Sequence, residues 1–179
     1  QCTLEQVRQY VGNGVRKLMI RAVPDGEENP LFEQTFAAFK AYYGEHCLDH
    51  TLPYPDVLNV MKELKERGIK IAIVSNKLDS AVKELDEKFF AGYTTAAIGE
   101  MEGVARKPAP DMVEKALREL GVAKSDAVYV GDSDVDIQTA QNSGLDCISV
   151  TWGFRDVPFL REHGAKTMID KPQELLSLV

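Results

Sequence analysis

The chain has 179 residues, of which 44% are hydrophobic and 27% charged. That composition suits one globular domain with room for an inserted lobe, and excludes a disordered chain, a collagen-like repeat and a disulfide miniprotein. The formal net charge of -7 argues against a broad nucleic-acid or anionic-membrane surface, so an anionic substrate would need locally placed cations or a metal.

Residues 1–52 read as helices only. Leu4, Val7 and Val11 recur at helical spacing, Gly12-Asn13-Gly14 breaks the run, and Val15, Leu18, Met19 and Ala22 resume it. Pro24-Asp25-Gly26 and Asn29-Pro30 read as a loop. Phe32, Phe36, Phe39 and Tyr43 then form an apolar stripe, expected to pack between helices. From Pro53 onward, strand and helix alternate. Pro55 opens a helix carrying Val57, Leu58, Met61 and Leu64, closed by Gly68. Residues 69–74 read as strand, 78–90 as helix and 94–98 as strand. Pro110 starts a helix with Val113, Ala116, Leu117 and Leu120, ended by Gly121. Residues 127–130 are a short apolar strand, 134–143 a helix capped by Gly144, and 147–150 a further strand. A last helix is expected near Pro172.

Short apolar strands separated by amphipathic helices predict an α/β fold, a doubly wound parallel sheet covered on both faces. Its crossovers should be right-handed. Ligands in such sheets bind beyond the carboxyl ends of the strands. The residues that follow each strand therefore carry the functional reading.

Three cysteines, Cys2, Cys47 and Cys147, are widely spaced and make no zinc pattern. Reduced thiols in a cytoplasmic protein are the expectation. No apolar run approaches the roughly 18 residues of a membrane span. Gln1-Cys2-Thr3-Leu4-Glu5 reads neither as a signal peptide nor as an initiation site, so the sequence is expected to belong to a longer chain.

Ser75-Asn76-Lys77 follows the first strand. Ser and Asn there can offer hydroxyl, amide and backbone donors to an anion, or simply cap the next helix. Arg106-Lys107-Pro108-Ala109-Pro110-Asp111 comes after the second strand. The prolines stiffen it, so Lys107 is a fixed cation suited to a phosphoryl group in transfer; a solvated Arg-Lys pair is the plainer reading. Gly131-Asp132-Ser133-Asp134-Val135-Asp136 follows the third strand and is the most specific segment. Clustered carboxylates repel one another unless a cation offsets them, and hard oxygen ligands suit Mg²⁺. An EF-hand loop fails here, because Ile137 stands where Gly is needed and Ser143 where Glu is needed. Simple helix capping is the remaining alternative. A Ser, a Lys and an Asp pair at successive strand ends predict a site for a phosphoryl group with a divalent metal.

With these segments in place, the chain resembles the haloacid-dehalogenase-like superfamily, and within it the phosphoglycolate phosphatase branch. Ile73-Val74-Ser75-Asn76-Lys77 resembles the family's second motif, Arg106-Lys107-Pro108-Ala109-Pro110-Asp111 the third, and Val130-Gly131-Asp132-Ser133-Asp134-Val135-Asp136 the fourth. Thr151-Trp152-Gly153-Phe154 resembles the loop after the next strand. Residues 1–52 look like a helical cap that is incomplete at its N-terminus, and residues 53–179 like the α/β phosphatase core without its first strand. Lys77 directly after Ser-Asn favours the phosphoglycolate branch.

The resemblance implies an Asp nucleophile that forms an aspartyl-phosphate. A second Asp two residues later protonates the leaving alkoxide and then activates water. Mg²⁺ is the implied cofactor, with Asp132 as its ligand and Asp136 in support, directly or through water. Ser75 and Asn76 would hold the phosphoryl oxygens, and Lys107 would balance charge. Lys77, Gly12 and Arg16 would bind substrate as the cap closes. The family's first motif, Asp-x-Asp-x-Thr, should precede the cap, and nothing like it does. Asp132-Ser133-Asp134 already fills the fourth motif and cannot stand in. The expectation is a parent protein that hydrolyses a small phosphorylated metabolite, with these residues alone inactive. Alternatives are a phosphomutase of the same fold and a non-catalytic regulatory module. A dehalogenase needs no metal, against the Asp-rich fourth motif, and a receiver domain has the reverse motif order. Neither nucleic acid nor a membrane is expected as a partner.

Overall fold

The computed structural model describes residues 2–12 and 14–179; Asn13, in the expected break, lies outside the described residues. The chain divides into two compact units, Gln1–Thr51 and Leu52–Val179.

The first unit is helical. Helix α1 (Leu4–Tyr10) starts at a capping box. The Gln6 amide donates to Thr3 Oγ1 and the Thr3 amide donates to Gln6 Oε1, which satisfies two amides that have no partner within the helix. The helix buries no residue, and Leu4 is 85% exposed. The next helix, α2 (Val15–Ala22), buries Met19, and α3 (Phe32–His46) buries Phe32. The aromatic stripe stacks along α3 itself, Phe32 on Phe36 and Phe39 on Tyr43. Arg16 of α2 covers its first two rings, its guanidinium carbon 5.1 and 5.3 Å from their centroids.

The second unit alternates helix and strand as expected. Helix α4 (Val57–Glu66) begins two residues after Pro55 and buries Val60, Met61 and Leu64. Strand β1 (Ala72–Leu78) leads to α5 (Asp79–Leu85), which continues as a π-helical turn over Asp86–Phe90. Then come β2 (Ala96–Glu100), α6 (Asp111–Leu120), β3 (Val128–Gly131), α7 (Asp134–Ser143) and β4 (Asp146–Val150). Two elements were not foreseen, α8 (Val157–Glu162) and β5 (Thr167–Ile169). With six and three residues, they are too short to show a period. The last expected helix is a 3₁₀ turn, Pro172–Ser177.

All pairings are parallel. They form one sheet of order β1-β2 and another of order β3-β4-β5. Among the described residues no ladder joins β1 to β3. Helix α6 connects the two sheets underneath. Val113 and Leu117 pack with Tyr129 and Ala140, while Met112 and Ala116 pack with Ile98. Val74 of β1 touches both clusters. Burying these side chains against one another anchors the strand ends on which the site is built.

Candidate active site

The expected strand over residues 69–74 starts at Ala72 and runs on to Leu78, so Ser75, Asn76 and Lys77 lie within β1 rather than after it. The register explains why the segment still behaves as a strand end. Val74 pairs with Ile98 and Leu78 with Glu100, so β1 spends four steps where β2 spends two. The two extra residues bulge out at Ser75-Asn76-Lys77, a device that redirects side chains beside functional sites. Neither Ser75 nor Asn76 caps α5, whose N-cap is Leu78. The Lys77 amide donates to Ser75 Oγ at 3.2 Å.

Asn76 binds the loop after β2. Its Nδ2 donates to the Lys107 carbonyl at 2.9 Å, and the Lys107 amide donates to its Oδ1 at 2.8 Å. Both polar atoms of the side chain thus engage the Lys107 backbone.

Arg106 and Lys107 diverge, which ends the reading as a solvated pair. Arg106 is 41% exposed and lies 3.8 Å from Glu100. The Lys107 side chain is only 12% exposed. Its Nζ donates to Asp136 Oδ1 at 2.8 Å and to the Tyr129 hydroxyl at 3.1 Å. Two donors are thereby committed.

Asp136 takes four donors. On Oδ1 these are Lys107 and, at 3.0 Å, the Tyr129 hydroxyl; on Oδ2 they are Ser133 Oγ at 2.6 Å and the Asp132 amide at 3.2 Å. A carboxylate offers about four lone-pair sites, so Asp136 is saturated. Gly131 makes this approach possible, because a Cβ there would collide with the Asp136 side chain. Ser133 caps α7, with Asp134 and Asp136 in the first turn, where the helix dipole favours anions. Asp134 Oδ1 faces Arg155 Nε at 3.7 Å.

Asp132 sits at the tip of β3. Its Oδ2 accepts from the Phe154 amide at 2.8 Å, and a Cβ on Gly153 would strike its carboxylate. The expected loop Thr151-Trp152-Gly153-Phe154 therefore touches the site through backbone. Burial pushes the Asp132 carboxyl up, and nearby Asp136 adds to this. Burial would push Asp136 the same way, but the Lys107 ammonium and the hydrogen bonds outweigh it and hold that carboxyl below its usual range. Neighbouring carboxyls driven apart in this way take different roles. Burial and Asp136 raise the Tyr129 phenol, so it stays protonated. Burial lowers the Lys77 ammonium.

Asp132 is a half-buried hard-oxygen donor of the kind Mg²⁺ takes. Asp136 has no lone pair to spare for it. No cluster of three His, Cys, Asp or Glu side chains occurs among the described residues. Mg²⁺ needs no such cage, since it keeps several waters and binds through one or two carboxylates plus substrate phosphate.

Hydrogen bonds run without a break from Asn76 on β1 through Lys107 and Asp136 to Asp132 at the tip of β3. The profile of the haloacid dehalogenase-like hydrolases matches residues 1–150. The chain belongs to that family. Within the family it is 33% identical over 176 residues to a phosphoglycolate phosphatase of Aquifex aeolicus, covering 98% of this chain and 79% of that one. It is 37% identical to one from Rhodobacter capsulatus, covering 91% and 75%. A crystal structure from Lactobacillus delbrueckii subsp. bulgaricus is 38% identical and superposes with a TM-score of 0.94 over 99% of this chain and 83% of that one. The sequence motifs and the fold thus agree that this is a haloacid dehalogenase-like hydrolase of the phosphoglycolate phosphatase branch.

Sequence reasoning missed Tyr129 as part of this family site, and it placed Ser133, Gly153 and Phe154 in motif segments without giving them a role. Tyr129 was within reach: it lies two residues before Gly131, and the two-residue strand period puts both on one face. In the first unit, Gly12 has a φ of 120° and its carbonyl accepts from Arg21. Arg16 binds Glu27 at 2.7 Å and Glu33 at 2.5 Å, so two carboxylates already balance its charge.

Proposed function

We propose that the complete protein is a Mg²⁺-dependent phosphatase of a small phosphorylated metabolite, phosphoglycolate-like, acting through an aspartyl-phosphate. The observation that carries this reading is the hydrogen-bonded path joining three strand ends at Lys107. In this reading a segment preceding Gln1 supplies the Asp nucleophile. Its carboxylate oxygen attacks phosphorus, the ester P–O bond breaks, and a second carboxylic acid gives its proton to the departing alkoxide. Water then cleaves the acyl phosphate and returns the nucleophile. When bound at Asp132, Mg²⁺ supplies positive charge beside the phosphoryl oxygens.

The chain's own residues do the rest. The Ser75 hydroxyl and the Asn76 amide hold the phosphoryl oxygens. Lys107 offsets charge on them. Asp136 aims Lys107 and the Asp132 backbone, while Asn76 fixes the loop that carries Lys107. Lys77 reads the remainder of the substrate. Cytoplasmic residence belongs to the same proposal and rests on the three free cysteines. No helix among the described residues is long and apolar enough to cross a membrane.

The test is hydrolysis of phosphoglycolate and of a chromogenic phosphate ester by the complete protein, with and without Mg²⁺. Asp132→Asn should abolish the Mg²⁺-dependent rate. A variant that keeps the rate removes Asp132 from the metal site, and a wild type inert toward both esters with Mg²⁺ present overturns the phosphatase reading.

A further inference from the structure

We propose that Tyr129 is a positioning residue for Lys107, its hydroxyl fixing the direction of the ammonium and dividing that charge between the phosphoryl group and Asp136. The inference rests on the phosphatase reading for its kinetic consequence and on geometry alone for its structural one. Tyr129 is buried, with 8% of its surface exposed, and belongs to the cluster of Val113, Leu117 and Ala140. Burial of a phenol in apolar surroundings requires a partner for its hydroxyl. The structure gives it two. It accepts from Lys107 Nζ at 3.1 Å and donates to Asp136 Oδ1 at 3.0 Å.

The three groups form a closed triangle, because Lys107 also donates to Asp136 at 2.8 Å. An ammonium has three protons in tetrahedral array. Once two are fixed on different acceptors, the direction of the third is fixed as well, and no partner claims it among the described residues. Without the phenol oxygen, Asp136 Oδ1 is the single anchor. The ammonium can then turn about that contact and settle into the ion pair, which leaves less charge for the phosphoryl group. A fixed donor aimed at developing charge accelerates the chemical step, because it needs no reorganisation during the reaction. The ring itself also faces Lys107, with Nζ 5.8 Å from its centroid. A Phe at this position keeps the ring and the packing while removing only the hydroxyl.

The experiment therefore uses Tyr129→Phe in the complete protein, with two readouts. The first is steady-state hydrolysis of phosphoglycolate with Mg²⁺. We expect kcat to fall about tenfold while KM stays within about twofold, the pattern for an interaction made mainly in the transition state. A purely structural role would lower the unfolding midpoint and leave kcat per folded molecule unchanged, which overturns the proposal. The second is the ¹⁵N signal of the Lys107 ammonium, assigned by its loss in Lys107→Arg and recorded without substrate. It should be sharp in the wild type and broadened in Tyr129→Phe. An equally sharp signal in both overturns the positioning role whether or not the protein hydrolyses any ester. A wild type inert toward the ester but showing this contrast upholds the positioning role and overturns only the phosphatase reading.

Discussion

Asp132 is held by what its neighbours lack. Gly153 presents no Cβ to its carboxylate, and Gly131 presents none to Asp136. Both contacts are with side chains fixed by hydrogen bonds, so the neighbour cannot move aside freely. Gly153→Ala should force Asp132 to rotate away from the Phe154 amide. Crowding of this kind costs about 1–3 kcal/mol, and under the proposed function the displaced carboxylate would no longer meet Mg²⁺ as before. The Mg²⁺-dependent rate is expected to fall at least about a hundredfold, with the Mg²⁺ half-saturation moving to higher concentration. An unchanged Mg²⁺ titration would show that Asp132 tolerates the methyl group and that the close approach is incidental. The sequence made Asp132, Lys107 and Ser75 legible as chemical groups. It did not show that Asn76 binds the Lys107 backbone, because that contact joins residues 31 apart across two elements. Nor did it show Asp136 as a saturated hub, since its Lys107 donor comes from a loop 29 residues away.

Elements with a full period and a terminator were read closely. Helix α7 and its Gly144 cap match the expected bounds, and α6 ends at Gly121 as its pattern requires. Strand β1 was started three residues early and ended four residues early, because Ser75, Asn76 and Lys77 are polar and the bulge breaks the alternation. A less visible device ties α5 to β2. The buried Gly99 amide donates to Asp79 Oδ1 at 2.9 Å, and Lys83 donates to Asp79 Oδ2 at 2.6 Å. Gly99 is required there, since a Cβ would collide with the Asp79 backbone. Burial pushes the Asp79 carboxyl up, but Lys83 and the Gly99 amide outweigh it and hold the carboxyl below its usual range. A group whose carboxyl is depressed on folding adds stability above its unfolded pKa and loses it as pH falls through the folded one. Asp79→Ala strands the Gly99 amide and should cost about 1–3 kcal/mol near neutral pH. Urea unfolding of the wild type and the variant should show that gap narrowing as pH falls below about 4. A gap that stays constant across that window would assign the loss to packing instead of charge.

At the scale of the molecule, hydrogen bonding is uneven between the strands. Strand β4 is paired on both sides, by β3 and β5, whereas among the described residues β1 pairs only with β2 and β3 only with β4. Val130 on β3 is 42% exposed although it lies in an apolar strand. Opening free energy follows buried contacts and ladder partners, so exchange rates should rank the strands. In the 179-residue chain, amides of residues 148–150 are expected to exchange slowest. Those of β1 and β3 should be faster, and α1, which buries nothing, fastest of all. The proposed nucleophile segment adds a second requirement. Its carboxylate must reach Lys107 and Asp132, which lie at the ends of the two separate sheets. A strand running between β1 and β3 meets that requirement and would give both edges a ladder, removing the exposed edges that invite wrong pairing. Hydrogen exchange of the complete protein beside the 179-residue chain distinguishes the outcomes. Slowing of β1 and β3 to the level of β4 is the expected result. Unchanged rates at both edges would mean that the nucleophile reaches the site by another path.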